Sequence, residues 1–81
     1  MTLFPNPANK SVSLRFSALN EGDYIVQVVD LVGKEVFNKN ANFEAGDNTL
    51  DVDTQNFAAG IYLVKVSKDN QTTTSKLMIQ K

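Results

Sequence analysis

The 81-residue chain contains no cysteine, no histidine and no tryptophan. Without cysteine there is no thiol nucleophile, no disulfide and no thiolate metal site. Without histidine the commonest general base is missing, together with the imidazole ligands of most zinc, copper and haem sites. A serine nucleophile would then need lysine as its base, and neither Ser-x-x-Lys nor Gly-x-Ser-x-Gly occurs. These gaps predict a non-catalytic protein that takes no cofactor. An excess of charge of one sign is also missing. Eight basic residues stand against nine acidic ones, a net charge of -1, so no electrostatic footprint for nucleic acid exists. Apolar runs such as Ile61-Tyr62-Leu63-Val64 fall far short of the roughly 20 residues that a membrane-spanning helix needs. Met1-Thr2-Leu3-Phe4 shows neither the positive nor the apolar region of a secretory signal peptide, so an exported protein would carry that signal elsewhere.

The residues that are present suit a folded chain. Hydrophobic residues make up 42% and charged residues 21%, the usual balance for a globular domain, and the length predicts one domain over residues 1–81. Apolar side chains recur with period two, the strand period. Ser11–Phe16 places Val12, Leu14 and Phe16 on one face. Asp23–Leu31 places Tyr24, Val26 and Val28 on one face and Ile25, Val29 and Leu31 on the other. Gly33, in Val32-Gly33-Lys34, supplies the positive φ of a tight turn, so this strand and Glu35–Asn42 read as a hairpin. After the turn formers Glu44 to Asn48, Thr49–Asp53 turns Leu50 and Val52 inward. Phe57 leads into Ile61–Lys68, with Tyr62, Val64 and Val66 inward and Ile61 and Leu63 outward. Lys68-Asp69-Asn70-Gln71 reads as a second hairpin turn before Thr72–Gln80, whose Leu77 and Ile79 share a face. Together with Leu3-Phe4 this makes about seven strands, the pattern of an all-β, immunoglobulin-like antiparallel sandwich.

Three local features invite a functional reading, each beside a plainer one. Asp51 and Asp53 share a strand face near Asp47, but a straight strand does not converge ligands on one calcium ion, and a solvated face explains them equally well. Phe4-Pro5-Asn6-Pro7 is a stiff segment that cannot join a central ladder, with Leu3 and Phe4 anchoring it on the core. Its plain reading is a loop and its functional one a recognition element. The outward residues Ile25, Val29, Ile61 and Leu63 form a candidate partner patch if their strands are neighbours, and mere scatter over two sheets if they are not.

Four segments occur in order: Leu3-Phe4-Pro5-Asn6-Pro7, Val28 to Val36, Phe57 to Val66, and Lys76-Leu77-Met78-Ile79-Gln80-Lys81. Together they resemble the type A C-terminal sorting domain of the type IX secretion system, over essentially Leu3 to Lys81. The resemblance implies an origin in Bacteroidota and a passenger fused upstream. It also implies export through the periplasm to the cell surface or extracellular space. The implied partners are the outer-membrane translocon and shuttle proteins of that system, and a cell-surface sortase that removes the domain. By the same resemblance Pro5, Asn6 and Pro7 match the family's first motif, Asp30 and Gly33 its central turn, and Gly60 and Tyr62 its second signature. Lys76, Leu77, Met78, Ile79 and Lys81 match its basic-flanked apolar end, where the signal is expected to concentrate. Phe57 departs from the smaller aliphatic residue usual there. The competing reading is a fibronectin-like or carbohydrate-binding sandwich module of a secreted protein.

Overall fold

The computed structural model describes residues 1–81. Alternation sorts them into seven strands and no helix: β1 Thr2–Phe4, β2 Ser11–Ala18, β3 Gly22–Asp30, β4 Glu35–Phe43, β5 Gly46–Asp53, β6 Gly60–Lys68 and β7 Gln71–Ile79. Three strands form one sheet in the order β1-β2-β5, and four form the other in the order β4-β3-β6-β7. Every strand pair is antiparallel. The chain therefore crosses between sheets after β2, after β4 and after β5, and two sheets with facing apolar sides give the expected sandwich.

The inward sets read from period two fill the space between the sheets. Val12 and Leu14 of β2 and Val52 of β5 face Tyr24, Val26 and Val28 of β3, Tyr62, Val64 and Val66 of β6, and Leu77 and Ile79 of β7. Phe16 and Leu50 are only half-buried against this core. Phe16 instead completes an aromatic group near the strand ends, its ring centroid 5.5 Å from Tyr24 and 5.7 Å from Phe43. Edge-on and tilted contacts of this kind add to the area that the rings bury.

Three expectations need adjustment. Leu3 is buried but Phe4 points outward, 43% exposed, so the pair does not jointly anchor the lead-in segment. Consecutive strand residues face opposite ways, which forces this split, and Phe4 lies under the Arg15 guanidinium at 5.8 Å instead. Second, β2 and β5 run longer than the apolar alternation, because the ladder continues to Ala18 opposite Gly46. A partner strand offering hydrogen bonds recruits residues of poor strand propensity. Third, the β3–β4 ladder shifts register, Val28 facing Phe37 while Val29 faces Glu35. Val36 is thus a bulge residue, and both Val36 and Phe37 lean on the core.

Candidate functional site

The residues singled out in the sequence converge on one end of the sandwich. Asp30 closes β3 opposite Tyr62 of β6, and Tyr62 lies opposite Leu77 of β7. Gly60 begins β6 opposite Ile79. Residues 15 to 32 positions apart in the chain become neighbours here because antiparallel pairing brings the end of one strand beside the start of the next.

The first motif reaches this end through a side chain. Asn6 donates from Nδ2 to the Lys76 carbonyl at 3.0 Å, and its Oδ1 accepts the Met78 N–H at 3.0 Å. Ala8 continues the line, donating to the Met78 carbonyl and accepting from the Gln80 N–H, both at 2.8 Å. The Asn6 amide stands in for a peptide group of a neighbouring strand, and Ala8 pairs parallel with Ile79. The peptide bonds preceding Pro5 and Pro7 are both cis. The segment stays out of the central ladders, as its prolines require, but it caps the β7 edge. No periodicity signals that role, because one side chain performs it.

The central turn is clamped by Asp30. Its Oδ1 accepts the backbone N–H of Val32 at 3.0 Å and of Lys34 at 2.8 Å. Gly33 donates its N–H to the Asp30 carbonyl at 3.1 Å and sits at φ +89°, which confirms the expected positive-φ turn. A consequence not legible beforehand is that the clamped turn displays two apolar side chains, Leu31 at 68% and Val32 at 89% exposure.

Tyr62 is buried, and its hydroxyl donates to the Ala58 carbonyl at 2.6 Å. The Phe57 ring lies 5.5 Å from it, so a bulky residue fits at 57 by packing on the tyrosine. Tyr24, on the adjacent strand and at the opposite end, repeats the device: its hydroxyl donates to the Asn20 carbonyl at 2.7 Å, again four residues upstream. Both rings are inside, as their alternation predicts.

Alternation divides the last segment. Leu77 and Ile79 are core residues, whereas Lys76 and Met78 lie on the outer face. Lys81 folds back, its Nζ donating to the carbonyls of Thr54 at 3.0 Å and Gln55 at 2.6 Å. Thr54 is the one fully buried polar residue and a junction that sequence reasoning missed. Its N–H reaches the Lys10 carbonyl at 3.0 Å and its hydroxyl the Asn9 carbonyl at 3.1 Å. A threonine after an aspartate at a strand end carries no signal of this, since its partners are distant in sequence.

The outward apolar set is partly assembled. Val29 lies directly opposite Leu63, and Ile61 opposite Met78, so these four share the outer face near the Leu31-Val32 turn. Ile25 stands apart, paired with Ser67 and Asn40 and separated from Val29 by Gln27. Strand adjacency made the patch, and Met78 joins it although the sequence reading did not include it there. The carboxylates are engaged locally: Asp51 accepts from the Ser13 hydroxyl at 2.6 Å, and Asp53 accepts the Gln55 N–H at 2.9 Å. At the opposite end an open cleft of about 400 Å³, lined among others by Phe16, Leu19, Tyr24 and Lys68, contains none of the motif residues.

Comparison with known proteins bears on the whole chain. A family model described as a secretion system C-terminal sorting domain matches residues 2–80. No curated protein matches the chain.

Proposed function

The chain belongs to the C-terminal sorting domains of the type IX secretion system, and from that premise we propose that it is a non-catalytic signal that carries an upstream passenger through the periplasm and across the outer membrane. The observation that supports this most directly is the convergence of all four motif segments on one end of the sandwich. Asp30, Gly33, Gly60, Tyr62, Leu77, Ile79 and the Asn6 amide shape that end from within. Recognition by the translocon and its shuttle proteins then falls to what the end displays: Leu31, Val32, Val29, Ile61, Leu63, Met78 and the ammonium group of Lys76. Apolar side chains held on a clamped turn lose little freedom on docking, which favours their use as contacts. A cell-surface sortase then removes the domain, leaving the passenger at the surface or in the medium.

The test fuses residues 1–81 behind a reporter bearing a periplasmic signal peptide, in a host with a working type IX system. The reporter is expected at the surface or in the medium. A Leu31→Ser, Val32→Ser double variant, whose changes touch only exposed side chains, is expected to hold it in the periplasm. Retention of the reporter by the unaltered domain would overturn the sorting role. Full export of the double variant would move recognition away from the turn.

A further inference from the structure

We propose that the open stretch of the β7 edge, Thr72 to Ser75, is a docking site at which an extended acidic segment of another polypeptide adds as a fifth strand to the four-stranded sheet. The proposal goes beyond the sorting role and does not depend on it.

Among the strands β7 pairs with β6 alone, and Lys68 and Gln71 flank the two-residue turn between them. Such a turn closes with a hydrogen-bonded pair, so odd-numbered residues of β7 bond to β6 and even-numbered ones direct their backbone groups away. The bonds of Met78 and of the Lys76 carbonyl to Asn6 and Ala8 follow this parity. The N–H and C=O of Thr72 and of Thr74, and the N–H of Lys76, have no partner in the structure.

The other edges are guarded in ways that natural sheets use against strand addition. β4 carries Glu35, Lys39 and the bulge at Val36. β5 carries Asp47, Asp51 and Asp53. β1 has three residues and runs into Pro5. Gln71-Thr72-Thr73-Thr74-Ser75 has no charge, proline or bulge, and its threonines favour the extended backbone. The row is bounded instead, since Asn6 fills the edge from the Lys76 carbonyl onward.

That bound also limits the occupant. In a symmetric antiparallel pairing of two copies about Thr74, Thr72 of one copy would lie opposite Lys76 of the other, where the Asn6 side chain already sits. A short separate segment that ends before the position opposite Lys76 has no such conflict. On the outer face, Lys65 lies opposite Thr74 and beside Gln27, and Lys76 lies opposite Leu63, so neither lysine has a carboxylate as its direct cross-strand neighbour. A carboxylate opposite Thr74 on the outer face of an added strand lies diagonal to Lys76 and one strand beyond Lys65, so both lysines favour an acidic segment there.

The experiment titrates the 15N-labelled 81-residue chain with the peptide Thr-Glu-Val-Glu-Val-Glu-Thr and with its counterpart bearing lysine for glutamate. Saturable shifts confined to the β7 edge are expected for the acidic peptide, with amide exchange of Thr72 and Thr74 slowed about tenfold at saturation. The basic peptide is expected to need at least about fivefold more. Thr74→Pro, which removes an outward N–H and no bond to β6, is expected to abolish binding. Thr74→Val, which keeps the backbone row, is expected to retain it. Absence of saturable shifts, equal shifts along β4 or β5, or equal binding of the basic peptide would overturn the proposal. So would concentration-dependent shifts of the same residues without peptide, which would name a second copy as the occupant.

Discussion

The Met78 N–H ends on Asn6 Oδ1, 3.0 Å away, although 72 residues separate the two in sequence. The first and last motifs of the chain are therefore one physical unit, a side-chain amide completing the edge of the final strand. Ala8 and Thr54 extend the join, the first through the Met78 carbonyl and the Gln80 N–H, the second through Lys10 and Lys81.

Replacing Asn6 tests that unit. Asn6→Ala removes two hydrogen bonds at a solvent-exposed edge, where water can replace them, so the expected loss is about 1–2 kcal/mol in urea unfolding. Exchange of the Met78 amide should rise with it. Asn6→Asp keeps the acceptor for Met78 but sets an oxygen against the Lys76 carbonyl, and should be no more stable than Asn6→Ala. Full stability of Asn6→Asp would show that the donor half of the amide does nothing.

The central turn gives a steric prediction. No neighbouring atom lies within 4 Å of a Cβ added at Gly33, so the penalty of Gly33→Val comes from backbone conformation alone. A β-branched residue at φ +89° should cost about 1–3 kcal/mol. In a domain of this size each kcal/mol lowers Tm by about 4–8 °C. Asp30→Ala should lose about 1–2 kcal/mol with its two N–H acceptor bonds, and Asp30→Asn, which retains an oxygen there, distinctly less. Equal losses for the two Asp30 variants would contradict the clamp.

Tyr24 and Tyr62 tie back to carbonyls four residues upstream at opposite ends of the sandwich. Tyr24→Phe and Tyr62→Phe should each cost about 1 kcal/mol, and the double variant about their sum, since the sites share no partner. Calorimetric melting of the three variants measures this.

Truncating the last strand mixes two effects that point variants separate. Deleting Lys76–Lys81 removes Leu77 and Ile79 from the core, so it should unfold the domain along with any loss of export. Leu77→Ala alone should cost about 2–5 kcal/mol. Lys81→Ala should cost about 1 kcal/mol through its bonds to Thr54 and Gln55. If Lys81 is read by the machinery, its loss should lower export of the reporter fusion while circular dichroism shows a folded domain. Undiminished export would confine Lys81 to tying down the Thr54 junction.

All seven strands, both hairpins and the inward faces were legible in the sequence because side-chain alternation and turn chemistry are local. Tyr24, Val26 and Val28 declare their face by spacing alone, and Gly33 declares its turn by lacking a Cβ. The same local rule, applied to Leu3-Phe4, says that only one of the two can be inside, and Phe4 is the one left out.

What the sequence determined by itself is the all-β core and the lack of thiol and imidazole groups, since periodicity and the absence of histidine and cysteine need no knowledge of neighbours. Only the tertiary structure decided that Asn6 pairs with β7, that Met78 rather than Ile25 completes the apolar patch, and that Thr54 joins the chain's two ends. Those contacts depend on strand order and register, which are settled when distant segments compete to bury their apolar faces and satisfy their backbone groups, and no local spacing encodes the outcome.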